Sequence, residues 1–252
     1  MVQRPTIDTV TNHLGSARFA TYLAAAGGRS HDAVLLYRWN VEMSGALQEA
    51  LGLAEVFLRN AVDRELRVWN ARQPPRQAVI YGQNWVENPA GPLWAILNPR
   101  RSGGGRYSTF RDAHQRALDS LHARPSGHRR HGTAVEHDDL VAHMTFGTWK
   151  RLLPAKDSRH ASGIGPDAQR RLWIEATAAA FPHHPHPTVI AYWVERLHSV
   201  RNRVAHLEPL CDIDPMGYHR TISRLLGAID PALSEWFGGM SRIPEVARRR
   251  PC

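Results

Sequence analysis

The chain has 252 residues, a net charge of +9, and 42% hydrophobic against 22% charged residues. That composition excludes a disordered tail, and the length suffices for one or two domains with a buried core and no covalent staples. Thirty of the 32 cationic residues are arginine, Lys150 and Lys156 being the exceptions. Guanidinium pairs with phosphate in a planar, bidentate way, so a nucleic acid is the first partner to consider; an arginine-rich genome gives the same bias with no partner at all. The opening MVQRPTIDTV lacks the apolar stretch of a signal peptide. No run of about 18 apolar residues suggests a membrane span. Cys211 and Cys252 form no zinc-ligand spacing. The expectation is a cytoplasmic protein with no metal and no cofactor.

Strand signals are scarce and helical periodicity is strong. From Asp32 to Trp69, Leu36, Trp39, Met43, Ala46, Ala50, Ala54, Phe57 and Ala61 recur at steps of three or four, flanked by Leu47, Leu51, Leu58 and Val62. So broad a stripe predicts a helix buried over much of its surface. Residues 74–132 are punctuated by Pro74, Pro75, Pro89, Pro92, Pro99 and Ser102-Gly103-Gly104-Gly105. They read as a loop-rich insertion with a short helix at Thr109–Ala123, and His122–His137 as a basic, mobile stretch. Helices are expected at Asp138–Leu153, Pro166–Phe181 and Thr188–Leu207. Asp214-Pro215 and Asp230-Pro231 each combine an N-cap Asp with Pro at the first helical position, opening helices at 215–227 and 231–237. A basic tail over 240–252 follows, with Arg248-Arg249-Arg250 frayed. The sum is a single all-α domain over residues 1–252, with about seven helices.

The helix over Thr188–Leu207 carries the chemistry. Ile190, Trp193, Leu197, Val200, Val204 and Leu207 are spaced to form one core-facing stripe. Glu195, Asn202 and His206 fall on the opposite face, and Arg201 on its flank. Pro209 puts His206 in the last turn, where the negative end of the helix dipole favours imidazolium. Metal-free RNA cleavage needs a base for the 2′-OH, an acid for the leaving 5′-oxygen and a cation for the phosphorane. One chain supplies part of that set, and two copies about a twofold axis would supply all of it. Spacing alone also fits a solvated polar face.

Arg201-Asn202-Arg203-Val204-Ala205-His206 resembles the Arg-x4-His motif of HEPN ribonucleases. The phrases Leu36 to Asn40, Leu53 to Ala61, Leu140 to Trp149 and Arg201 to Pro209 are similar, in the same order, to those of the Abi-like (abortive infection) branch of that superfamily. The resemblance implies an all-helical HEPN-like bundle, a homodimer with a composite cleft, and metal-independent endoribonuclease activity leaving 2′,3′-cyclic phosphate and 5′-hydroxyl ends. It implies a toxin or phage-defence role, with an antitoxin or other restraining protein as a possible second partner. In its terms His206 is the base or acid, Arg201 holds the scissile phosphate, and Asn202 orients the phosphate or His206. Glu55, Arg59 and Asn60 would support the same cleft, although Glu55 and Arg59 also have the spacing of an intrahelical ion pair.

Other features carry less. Arg203, Arg129 and Arg130 are candidate RNA contacts, the last two in a basic loop with Arg124, His128, His131 and His137 that could equally be merely solvated. Arg101 to Arg106 is Gly-rich but lacks the Gly-Lys-Ser/Thr of a phosphate loop. Trp85 and Trp94 could stack on bases, though packing is the plainer reading, and Asn40 reads as a core amide. His183, His184 and His186 sit in a Pro/His loop without a paired carboxylate. Two rival classes remain: a catalytically inactive HEPN-like module that binds RNA or protein, and a helical DNA-binding regulator, for which no helix-turn-helix signature is evident.

Overall fold

The computed structural model describes residues 4–76, 78–100, 103–154, 166–184 and 186–251. The longest helix among the described residues is α3 (Ser30–Ala71), one unbroken helix of 42 residues. Nothing in its sequence stops it: no proline occurs, and Gly45 and Gly52 each cost only about 1 kcal/mol of propensity. The expected stripe is buried, with Leu36, Trp39, Met43, Ala46, Ala50, Ala54 and Ala61 all under 5% exposed. Before α3 come α1 (Arg4–Leu14) and α2 (Ser16–Ala25), joined at Gly15, whose φ of 79° only glycine adopts without strain. These two were not read from the sequence.

After α3 come α4 (Gly91–Leu97), α5 (Thr109–His122), α6 (His137–His143), α7 (Phe146–Arg151) and α8 (Pro166–Glu175). A 3-10 turn (Thr177–Ala180), α9 (Pro187–Ala205), α10 (Pro215–Ile229), α11 (Pro231–Met240) and α12 (Ile243–Arg248) complete the order. Among the described residues there is no strand, only two isolated bridges, Arg76 with Val79 and Arg100 with Arg106. The protein is all-α.

Packing divides the chain into two units. The first comprises Met1–Ala54, Arg196–Gly227 and Ala232–Cys252; the second comprises Glu55–Glu195 and Ala228–Pro231. In the first unit, Trp39 is 3% exposed and donates its Nε1–H to the Val246 carbonyl at 2.9 Å. Ile243 and Val246 are buried too. The segment read only as a basic tail thus holds a helix that the sequence reading did not name: two branched apolar residues at i and i+3 give α12 a core-facing side. Arg250 then lies 5.1 Å over the Trp39 ring and donates to the Cys211 carbonyl at 2.8 Å.

The second unit is built on the loop-rich stretch. Trp85, Leu93, Ile96, Ala113, Ala117 and Leu121 are fully buried. Asn70, also fully buried, donates to the carbonyls of Gly82 (2.7 Å) and Asn88 (3.0 Å) and accepts from the Ala90 N–H at 2.9 Å. One amide thus replaces the backbone partners that this irregular segment lacks. The helix expected over Asp138–Leu153 is two helices. Thr145 is extended and its Oγ1 accepts from the Thr148 N–H at 3.3 Å, starting α7 afresh. A local cap outcompetes continuation of the apolar period. Pro166–Phe181 likewise changes from α-helix to 3-10 after Glu175. Of the earlier readings, those on Met1–Gln3, Arg101, Ser102, Pro185 and Cys252 lie outside the described residues.

Candidate functional site

Val200 and Val204 bury one face of α9 and so aim Arg201, Asn202 and the residues after Val204 outward. The helix ends earlier than expected. Ala205 is its last residue, and the Leu207 N–H donates to the Val204 carbonyl (3.0 Å) while the Glu208 N–H reaches the Arg203 carbonyl (2.9 Å). This paired closure places Leu207 in the left-handed region at φ 50°. Two corrections follow. His206 is the residue that caps the helix, with its N–H on the Asn202 carbonyl at 3.1 Å. Leu207 leaves the apolar stripe and is 52% exposed, because a left-handed residue turns the chain away from the helix axis.

The loop from His206 to Asp214 is pinned at four points, all in the first unit. Arg18 donates to the Leu207 carbonyl. Arg203 folds back to Asp212 (2.6 Å to Oδ1) and to the Pro209 carbonyl, with Glu208 at 3.6 Å. Asn40, 1% exposed, accepts the Leu210 N–H at 2.6 Å, which bears out its reading as a satisfied core amide. Arg250 holds the Cys211 carbonyl. The Arg203 guanidinium also holds the Asp212 carboxyl below the usual carboxylate range. Below the loop, Tyr22 is fully buried and meets Tyr37 edge-on at 5.3 Å. Burial, reinforced by Cys211, pushes its phenol up to about 12. Burial also raises the Cys211 thiol.

Arg201 and Asn202 are half-buried and His206 is exposed. Among the described residues none of the three side chains is engaged in a hydrogen bond or ion pair. The neighbouring Arg203, a candidate RNA contact from sequence, clamps the loop through Asp212 and Pro209. A cation, an amide and an imidazole are thus presented from one helix end on a braced turn. One imidazole can serve as acid or as base in a given step, so the set in one chain is half of what phosphodiester transfer uses.

The remaining candidates belong to the second unit. Glu55 and Arg59 are half-buried and Asn60 is exposed on α3; the Arg59 Nε is buried without a partner. Arg130 is committed to Asp139 (2.7 Å) and Glu136 (3.5 Å), whereas Arg129 is exposed. The stretch after His122 is organised by turns: the His128 N–H reaches Pro125 and the His131 N–H reaches His128, both at 2.8 Å. Trp85 is core, and Trp94 is 45% exposed with Arg106 stacked 4.7 Å from its ring centre. Glu195 pairs with Lys150 at 2.8 Å, and His184 packs edge-on against Trp193 at 5.1 Å.

The sequence reading missed Arg18 and Tyr22, since no motif marks them, and gave Tyr37, within the phrase Leu36 to Asn40, no role of its own. It also missed a buried network in the second unit. Asp63 accepts from Trp85 Nε1 (2.7 Å) and Arg67 Nε (2.8 Å), and its Oδ1 lies 2.8 Å from His137 Nε2. His137, assigned to the basic loop, in fact opens α6 and is 7% exposed. Burial alone would raise the Asp63 carboxyl; the hydrogen bonds from His137, Arg67 and Trp85 outweigh it and hold the group below the usual range. Among the described residues no cluster of three His, Cys, Asp or Glu could hold a metal, and no helix is long and apolar enough to cross a membrane. Comparison with protein-family models, curated proteins and solved structures found no match to this chain.

Proposed function

We propose that the protein is a metal-independent endoribonuclease of the HEPN type, acting in the cytoplasm as a toxin or phage-defence effector. The observation that carries this reading is the Arg201-x4-His206 motif, whose two side chains are not spent on structure while the loop beside them is pinned by four others. Catalytic groups need that combination of a free functional atom and a held backbone. In the reaction the 2′-oxygen attacks the adjacent phosphorus and loses its proton to a base. The P–O5′ bond breaks and the leaving oxygen takes a proton, giving a 2′,3′-cyclic phosphate and a 5′-hydroxyl. Arg201 neutralises the charge that grows on the phosphoryl oxygens. His206 moves one proton, and Asn202 donates to phosphate or orients the imidazole. The second proton-transfer group comes from His206 of a second copy, so the working unit is a homodimer. A restraining partner such as an antitoxin would keep this activity from the host's own RNA.

The test is cleavage of total RNA by the purified chain in EDTA, beside Arg201→Ala and His206→Ala. Loss of acid–base catalysis lowers the rate by about a hundredfold or more, so both variants lose cleavage while the fold is kept. Metal-dependent cutting overturns the mechanism. Intact RNA with retained binding overturns the enzyme and supports the inactive binding module.

A further inference from the structure

After α4, in the second unit, the chain returns along itself. Gly104 and Gly105 take φ 86° and 73°, which L side chains rarely adopt. Arg100 and Arg106 stand opposite each other as an antiparallel pair, and the Tyr107 N–H beside them donates to the Pro99 carbonyl at 3.0 Å. That flanking bond makes theirs the pair without mutual hydrogen bonds, in which the two side chains share one face and lie closest. Both arginines are exposed and, among the described residues, neither is in an ion pair. Like charges directly opposite destabilise a strand pairing, and an anion shared between them removes that repulsion.

The second observation is an aromatic one. Trp94 on α4 is 45% exposed, whereas Trp85 and Trp149 of the same unit are core. The Arg106 guanidinium lies 4.7 Å from the Trp94 ring centre and is held there by its Nη1, which donates to the Asn98 carbonyl at 2.8 Å. An open indole thus adjoins a fixed guanidinium and a second cation on the same face. The ligand that matches alternates a planar ring with an anion. A nucleotide strand does so: its bases stack on indole and guanidinium planes, and its phosphates take the arginine donors. An acidic peptide would satisfy the arginines and leave the indole in water. A duplex keeps its base faces inside its own stack.

We propose that Trp94, Arg100 and Arg106 form a binding site for single-stranded nucleic acid, with a base stacked on the exposed indole and a phosphate bridging the two guanidinium groups. The site belongs to the second unit and does not depend on the ribonuclease reading of the α9 motif. The experiment is fluorescence anisotropy of labelled oligothymidylate and 2′-O-methyl oligouridylate, about 12 nucleotides each, titrated with the full chain. Neither strand has a 2′-OH, so binding is read without cleavage. Saturable binding of either strand is expected, and the tighter of the two identifies the sugar. Trp94→Ala weakens it about tenfold at unchanged net charge, and Trp94→Phe, which keeps a stacking face, restores most of the loss. Arg100→Glu weakens it about tenfold or more and makes its salt dependence shallower by about 0.7 in log–log slope, one phosphate contact being lost. Trp94 and Arg100 are both exposed, so these variants keep the fold. No saturable binding, binding unchanged by Trp94→Ala or by Arg100→Glu, or a duplex or polyglutamate bound as tightly as the single strands overturns the proposal.

Discussion

Replacing Asn40 by Ala tests whether the loop after α9 is held as the geometry says. The side chain is 1% exposed and its Oδ1 accepts the Leu210 N–H at 2.6 Å, with Leu210 itself fully buried. Alanine removes the acceptor but leaves the N–H where water does not reach. An unsatisfied buried donor costs about 1–3 kcal/mol, and alanine returns only about 0.5 kcal/mol of helix propensity. The net expectation is a loss of about 1.5 kcal/mol, read as a lower urea midpoint at unchanged slope. For a chain of this size that lowers Tm by about 3–6 °C. Asn40→Asp keeps an acceptor but buries a charge, and so costs at least as much. Leu210 lies four residues beyond His206, so RNA cleavage falls as well, below the temperature at which the variant unfolds. A stability loss under about 0.5 kcal/mol, the size of an ordinary surface change, refutes the reasoning, because the Leu210 N–H would then have another acceptor.

Asp63 supplies a pH dependence with a definite sign. Its folded carboxyl lies below its unfolded value, so its contribution is complete above the unfolded pKa of about 4 and is lost as pH falls through the folded one. Urea unfolding at stepped pH should show stability falling on that acid limb, and Asp63→Asn should lower stability at pH 7 while flattening the limb; an unchanged limb refutes the assignment. Leu207→Gly relieves a left-handed leucine and should stabilise the protein by up to about 1 kcal/mol in thermal unfolding, since the side chain is already half exposed; a lower Tm would show that the leucine side chain holds the turn.

Period and caps account for what was legible in the sequence. The α3 stripe and the two Asp-Pro starts of α10 and α11 are local signals, carried by residues three or four apart or adjacent, and the structure follows them. The early stop of α9 was not legible. Leu207 continues the apolar spacing, and only the backbone of Leu207 and Glu208, turned onto the carbonyls of Val204 and Arg203, ends the helix ahead of Pro209. Short helices were missed for a related reason. In α4 and α12, seven and six residues give too few turns for a period to emerge, and each is held by a partner on α3: Asn70 for Ala90, Trp39 for Val246. The motif residues themselves could be read because they share one helix end. Arg18 and Asn40 act on the same loop from 189 and 170 positions away.

The same distinction changes what the arginine excess means. Counted in the sequence, thirty guanidinium groups look like one reservoir of charge for a polyanion. In the fold, Arg18 and Arg250 cap carbonyls, Arg203 spans Asp212 and Pro209, Arg67 bridges Asp63 and Asp138, and Arg130 ties down Asp139. Those five act as hydrogen-bonded braces, and moving any of them to a phosphate would release a loop or expose a buried carboxylate. Guanidinium suits that use for the reason it suits phosphate, a rigid fork of donors matched to oxygen pairs. Composition therefore argues for nucleic acid only through the arginines left over. Arg201 is one of these, half-buried, uncommitted, and beside the only imidazole on its turn.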